Sequence, residues 1–302
     1  MSPGVLVGQV ERHGDGWLSG VSVIIPPAGT VGAVDVRGGG PGTHETDALD
    51  PTTMVSTVDA VVLSGGSAYG LASAHGVQSW CEEQGRGFPV RGGVVPIVPA
   101  AAIFDLGRGG GFMLRPGPEM GYQAAAGAHG GEVRRGNVGA GTGAAIGRGS
   151  FKGGVGTASL RLTAPNQHVV VGALAVVNAA GLPTGAKVAA SQNAVGAALN
   201  TTLVVVATNA ELSVAQAKRT SSVAHNGLAR ALAPVHTLSD GDTVFTLATG
   251  EVQLPGMTDN PPLALVELQA LAAQVVQAAI EDGIRAAETL STPGGNFPRW
   301  PV

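Results

Sequence analysis

The chain has 302 residues, a formal net charge of −4, 44% hydrophobic residues and only 13% charged ones. That affords a sizeable core for one large domain or two small ones, and it offers no basic patch of the kind nucleic acid selects. Glycine takes 48 positions, against a usual share of about 7%, but follows no G-X-Y period, so a collagen-like fibre is excluded and many tight turns or close backbone approaches are expected instead.

In chain order, residues 4–36 alternate apolar and polar residues around turn glycines (VLVGQV, VSVIIPP, VGAVDVRGG) and read as antiparallel strands in hairpins. Val58–Leu63 is a short strand running into SGGSAYG. A helix follows from about Ala68 to Gln84, where HGVQSWCEEQG places Cys81, the sole cysteine, in core packing. Residues 90–104 are apolar but broken by Pro96 and Pro99, which reads as an edge segment or a loop lining something. A second helix is expected near Gly121–Gly131, then a glycine-rich stretch over residues 136–159. HVVVGALAVVNAAG and TTLVVVATNA are strong strand candidates. Between them Leu182–Leu199 has no clear period and reads as an exposed, cleavable linker. Ser213 and Gln216 form a capping-box pattern that opens a helix to about Leu232. TVFTLATG is a strand, and Pro262–Glu288 a long helix. Hairpins outnumber βαβ units, so the pattern favours sheets layered with helices, an α/β or α+β sandwich.

No disulfide can form within a chain of one cysteine, the N-terminus lacks the basic and apolar regions of a signal peptide, and no uninterrupted apolar window suggests a membrane span. Together these point to a cytoplasmic protein that neither crosses nor binds a membrane. In the glycine-rich stretch, Gly141-Thr142-Gly143 starts a dinucleotide loop that Ile146 breaks, and no Gly-Lys-Ser/Thr follows, so phosphate binding is not supported. The glycines fit better with backbone amides aimed at a ligand or an oxyanion. The seven histidines are scattered without metal-ligand spacing, so no metal and no cofactor is expected. Ser64-Gly65-Gly66-Ser67 lacks the spacing of a nucleophile elbow.

Asn200-Thr201-Thr202, flush against the start of a buried strand, has three readings: a polar strand start, a glycosylation pattern, or a nucleophile at a strand edge. The glycosylation reading loses its compartment without a signal peptide. The nucleophile reading needs a base, and a threonine at a chain N-terminus carries one in its own α-amine, of ordinary pKa about 7.7–8.0. It therefore requires a break before Thr201. Asp240 and Asp242 could orient the hydroxyl and balance the ammonium, or could be a polar turn before a strand.

The stretches VDVRGGGPGTHETD, LSGGSAYGL, VGAGTG, KGGVGTAS, NTTLVVVATNAELSVAQAKR and DGDTVFTLATG, in order from within the first strands to Gly250, resemble the S58 peptidase family. That family includes the L-aminopeptidase D-Ala-esterase/amidase, the β-peptidyl aminopeptidases and the nylon-oligomer hydrolases. The resemblance implies a four-layer αββα sandwich shared with ornithine acetyltransferases. It also implies a precursor that cuts itself before a Ser or Thr nucleophile, here between Asn200 and Thr201, into an α chain 1–200 and a β chain 201–302. By the same resemblance Asn178 donates to the oxyanion, and Asp240 and Asp242 match the acidic pair flanking the nucleophile in Thr-type members. Lys152 matches a basic site residue, with Arg148 as an alternative alignment. Tyr69, Ala102 and Phe104 fall at the substrate. Aminopeptidase members place an acid two positions before a Tyr-Asp pair; here that stretch is Ala102-Ile103-Phe104-Asp105, without the acid or the tyrosine, so a blocked or internal amide is as well suited as a free amine. The implied substrate is a small peptide or amide and the implied assembly a homotetramer or larger. An acyltransferase on the related fold and an unprocessed binding protein are the alternative readings.

Overall fold

The computed structural model describes residues 4–187, 199–257 and 262–301. Its strands are β1 (Leu6–Gly14), β2 (Trp17–Ile25), β3 (Val31–Val36), β4 (Thr43–His44), β5 (Val61–Ser64), β6 (Ala100–Ala102), β7 (Val155–Arg161), β8 (Val170–Asn178), β9 (Thr201–Ala210) and β10 (Thr243–Val252), beside shorter two-stranded ribbons. The principal helices are α1 (Ser73–Glu83), α2 (Pro118–Ala126), α3 (Val214–Ala231) and α4 (Leu263–Ala286). One five-stranded sheet has the order β1-β2-β5-β6-β4 and the other β7-β8-β9-β10-β3. Pairing is antiparallel except between β5 and β6 and between β9 and β10.

The period of two along each strand sorts its side chains between two cores. Leu203, Val205 and Ala207 of β9 join Leu174 and Val176 of β8, Val61 and Leu63 of β5, Ile24 of β2 and Phe245 of β10 in a layer between the sheets. The intervening residues, Val204 and Val206 with Val171, Ala173, Ala175 and Val177, face α3 and α4. Val21, Val23 and Val62 face α1 and α2 through Ala74, Val77, Cys81 and Met120. Three cores between four layers make an αββα sandwich. Both faces of β8 and β9 are covered, which is why their sequences read as unbroken apolar runs.

The expected helix ends shift for local reasons. The first helix is split, a single turn at Ser67–Gly70 preceding α1. The second begins earlier than expected because Pro118 occupies its first turn, where a missing N–H costs nothing, and it ends at Gly127. Residues 100–102 are not an edge: β6 pairs with β5 on one side and β4 on the other. Pro96 and Pro99 both precede the strand, so no ladder N–H is lost, and the Pro99 carbonyl still accepts from Val62 N. The capping box is present, Ser213 Oγ accepting from Gln216 N and Gln216 Oε1 from Ser213 N. Glycines let α1 and α2 cross closely: a Cβ at Gly76 would collide with the Pro118 carbonyl, and one at Gly121 with the Ser73 carbonyl. The α4 helix is long and apolar enough to cross a bilayer by length and composition, and here it packs its apolar face on β7, β8 and α3. Burial pushes the Cys81 thiol up to about 12, in keeping with packing rather than nucleophilic chemistry. Most of the expected linker, residues 188–198, lies outside the described residues.

Candidate active site

Strand alternation brings the first two site residues together. Thr201 shares the parity of Leu203 and Val205, and Asn178 that of Leu174 and Val176, so both face the space between the sheets. The antiparallel register sets them opposite each other at one end of it. Both are buried. Thr201 Oγ1 donates to the Asn200 carbonyl oxygen at 2.6 Å, and Gly241 N donates to the same oxygen at 2.8 Å. Asn200 is held along the 239–241 segment by its own N–H to the Ser239 carbonyl (3.1 Å) and a parallel bridge to Asp240. The bond between Asn200 and Thr201 is thus clamped on the carbonyl side while the hydroxyl lies against it.

The Asp pair divides its work. Asp242 Oδ1 accepts from Thr202 N (2.8 Å), which fixes the first turn of β9, and Oδ2 accepts from the His236 backbone N (2.9 Å) and contacts His236 Nδ1 (2.8 Å). Asp240 Oδ2 accepts from Thr237 N (2.8 Å), while buried Oδ1 has no hydrogen-bond partner among the described residues. Burial raises the Asp240 carboxyl above the usual carboxylate range; donors from Thr237 oppose this, and the neighbouring Asp242 charge adds to it.

Asn178 Oδ1 accepts from Ala145 N (3.0 Å) and from Arg108 Nη1 (2.5 Å), and Nδ2 makes a long contact to the Phe104 carbonyl (3.4 Å). Lys152 is buried with Nζ donating to the carbonyls of Gly141, Ala144 and Gly153 at 2.9, 2.7 and 2.7 Å. Those three acceptors match the three ammonium protons, so Lys152 braces the glycine-rich loop rather than bonding to Thr201. It also pairs in register with Ala145, whose N–H serves Asn178. Burial holds the Lys152 amine well below its ordinary value; Arg108 adds to that and Asp105 opposes it.

A pocket of about 250 Å³ opens beside Thr201, lined by Gly40, Pro41, Gly42, Ser67, Ala68, Ala102, Phe104 and Leu199. Ala102 and Phe104 thus share a pocket with Thr201. Tyr69 is not among its lining residues: it is 55% exposed, with the Arg115 guanidinium over its ring, 3.7 Å from the ring centre. The sequence reading missed Arg108, His236 and the Gly241 amide, which meet the site across long sequence separations or through the backbone.

A threonine hydroxyl against a clamped peptide carbonyl, with a side-chain amide opposite and a small pocket alongside, sits at one end of an αββα sandwich, an arrangement that suits amide chemistry. The chain belongs to peptidase family S58, whose model matches residues 2–297. It is 46% identical over 304 aligned positions to an uncharacterized aminopeptidase of Mycobacterium tuberculosis, covering 89% of this chain and 86% of that one. It is 29% identical to a 6-aminohexanoate-oligomer endohydrolase of Kocuria sp., covering 84% and 75%. A Burkholderia sp. beta-aminopeptidase shares the fold, with a TM-score of 0.78 at 24% identity over 99% of this chain and 89% of that one. The protein is a hydrolase of peptide or amide bonds.

Proposed function

We propose that the chain cuts itself between Asn200 and Thr201 and then hydrolyses amides with Thr201 as an N-terminal nucleophile. The observation that carries this is the hydroxyl of Thr201 lying 2.6 Å from the Asn200 carbonyl oxygen, which Gly241 N also holds. In the precursor, Thr201 Oγ1 attacks the Asn200 carbonyl carbon and gives up its proton. The negative charge gathers on the carbonyl oxygen against the Gly241 N–H. The C–N bond breaks with the proton passing to the Thr201 nitrogen, and water then opens the resulting ester. The freed α-amine becomes the base for the same hydroxyl. In turnover Oγ1 attacks the substrate carbonyl, Asn178 Nδ2 donates to the oxyanion, and water releases the acyl group. Asp242 steadies the strand start through Thr202 N, and the Asp240 backbone bridges to Asn200 beside the cut.

Among the described residues, the pocket beside Thr201 has no ionisable side chain in its lining. It suits a small uncharged acyl group of a peptide or a peptide-like oligomer. The family resemblance further supports a homotetramer or larger assembly, which light scattering on the purified protein checks.

Intact mass and N-terminal sequencing test the reading. The processed protein should give fragments of 200 and 302 − 200 = 102 residues, the smaller beginning Thr-Thr-Leu-Val. Thr201→Ala should abolish both cutting and hydrolysis, and Thr201→Ser should keep part of each. A wild-type chain that hydrolyses amides while intact overturns the proposal.

A further inference from the structure

We propose that Arg108 is a positioning residue for the oxyanion amide, acting through Asn178. This rests on the assignment of Asn178 as oxyanion donor made above. A primary amide has one end that donates and one that accepts, and only the Nδ2 end can stabilise an oxyanion. Two donors converge on Oδ1, the Ala145 backbone N–H and the Arg108 guanidinium. They occupy both of its lone pairs. A flipped amide would set NH₂ against two donors and leave buried groups unpaired, a costly arrangement. Arg108 therefore decides which end of Asn178 faces Phe104 and the Thr201 side of the strand pair.

The guanidinium is itself held. The same Nη1 donates to the Gly143 carbonyl at 2.6 Å, the Arg108 carbonyl accepts from Thr292 Oγ1, and Arg108 N donates to the Asp105 carbonyl at 3.2 Å. Buried Asp105 faces the same cluster, its Oδ1 on Gly66 N and its Oδ2 on Ser19 Oγ. The Asp105 charge favours the guanidinium, while desolvation pulls it down to about 10. At that value Arg108 stays cationic at neutral pH, so its bond to Oδ1 is charge-assisted and polarises the amide toward a stronger Nδ2 donor. Lysine would carry its charge on a flexible stem rather than on a rigid planar group, so it would hold Oδ1 and the Gly143 carbonyl less firmly.

The test is a double-mutant cycle between Arg108 and Asn178, read on substrate turnover by the processed protein. Asn178→Ala should lower kcat by about 10²–10³-fold, the range for loss of one oxyanion donor. Arg108→Ala should lower kcat by about 10–100-fold with KM changed less than about threefold. The double variant should be no slower than Asn178→Ala alone. Arg108→Gln, which keeps a neutral N–H donor, should recover part of the loss. It also serves as the variant to read if Arg108→Ala does not fold. Losses that multiply, a change confined to KM, or an Arg108→Gln as slow as Arg108→Ala would overturn the proposal. Full activity in Asn178→Ala would instead overturn the oxyanion assignment on which it depends.

Discussion

In the uncut chain the Asn200 carbonyl oxygen holds Thr201 Oγ1. A Cβ placed on Gly241 would stand 2.6 Å from Thr201 Oγ1. Gly241→Ala should therefore displace the hydroxyl or the Gly241 N–H and slow self-cleavage by at least tenfold, with melting temperature nearly kept; gel densitometry against time reads it. A second residue-scale prediction concerns pH. His225 is fully buried, its Nε2 donating to the Asp35 carbonyl at 2.9 Å and its ring edge-on to His236 at 4.8 Å. Burial pulls its imidazole down from the ordinary 6.5 to about 4. The folded-state value is depressed, so as pH falls from about 6.5 to about 4 the unfolded chain takes up a proton that the folded chain refuses. Stability is lost across that window, by an order of a few kcal/mol, and is unaffected above it. His225→Gln keeps a donor for Asp35 and should flatten the fall in melting temperature between pH 7 and pH 5. Thr201, Asp240 and Asp242 stand out in the sequence as a polar strand start and a D-G-D turn, whereas Asn178 is pointed to only by the family resemblance. Arg108 and the Gly241 amide left none: one contacts Asn178 across 70 positions, and the other acts through a backbone N–H that any residue but proline carries.

Elements set how rigidly those residues are held. Every residue of β9 is buried, and the strand is paired on both sides, antiparallel to β8 and parallel to β10, so its first residue cannot swing. The apolar run Leu203–Ala207 announced this strand, and Ser213 with Gln216 announced the helix after it. Ser213→Ala removes the acceptor for Gln216 N and should cost about 1 kcal/mol, seen as a small fall in melting temperature with turnover unchanged. The segment at β6 was harder to place. Two prolines weigh against an interior strand, and only the pairing partners reveal that both precede the ladder. Tyr69 was misplaced for a related reason. Ser67 and Ala68 line the pocket, but the single turn they begin carries the next side chain to the surface, and one-residue steps in a turn have no fixed periodicity to read.

At the scale of the whole molecule, the two sheets and the loops between them decide which amides can reach Thr201. The pocket draws on the Gly40–Gly42 loop, the Ser67–Ala68 turn, the end of β6 and Leu199, and none of these supplies a carboxylate. Asp105 is adjacent to Phe104 in sequence, yet both of its oxygens are turned to Gly66 N and Ser19 Oγ and it is buried. With both oxygens so engaged, Asp105 is poorly placed to hold a substrate ammonium. A charge-assisted contact of the sort that would favour a free amine, about 1.5–3 kcal/mol, is therefore missing from this wall, and roughly one to two orders of magnitude in selectivity with it. If the proposed cut frees the Thr201 amine, its protonated form would repel a second ammonium in the same small space. The expected outcome is that kcat/KM for an aminoacyl anilide and for its N-acetyl form agree within about tenfold. A preference for the free amine above about a hundredfold would mean that an acid outside this lining, brought in by an adjoining subunit or by rearrangement after cleavage, completes the site.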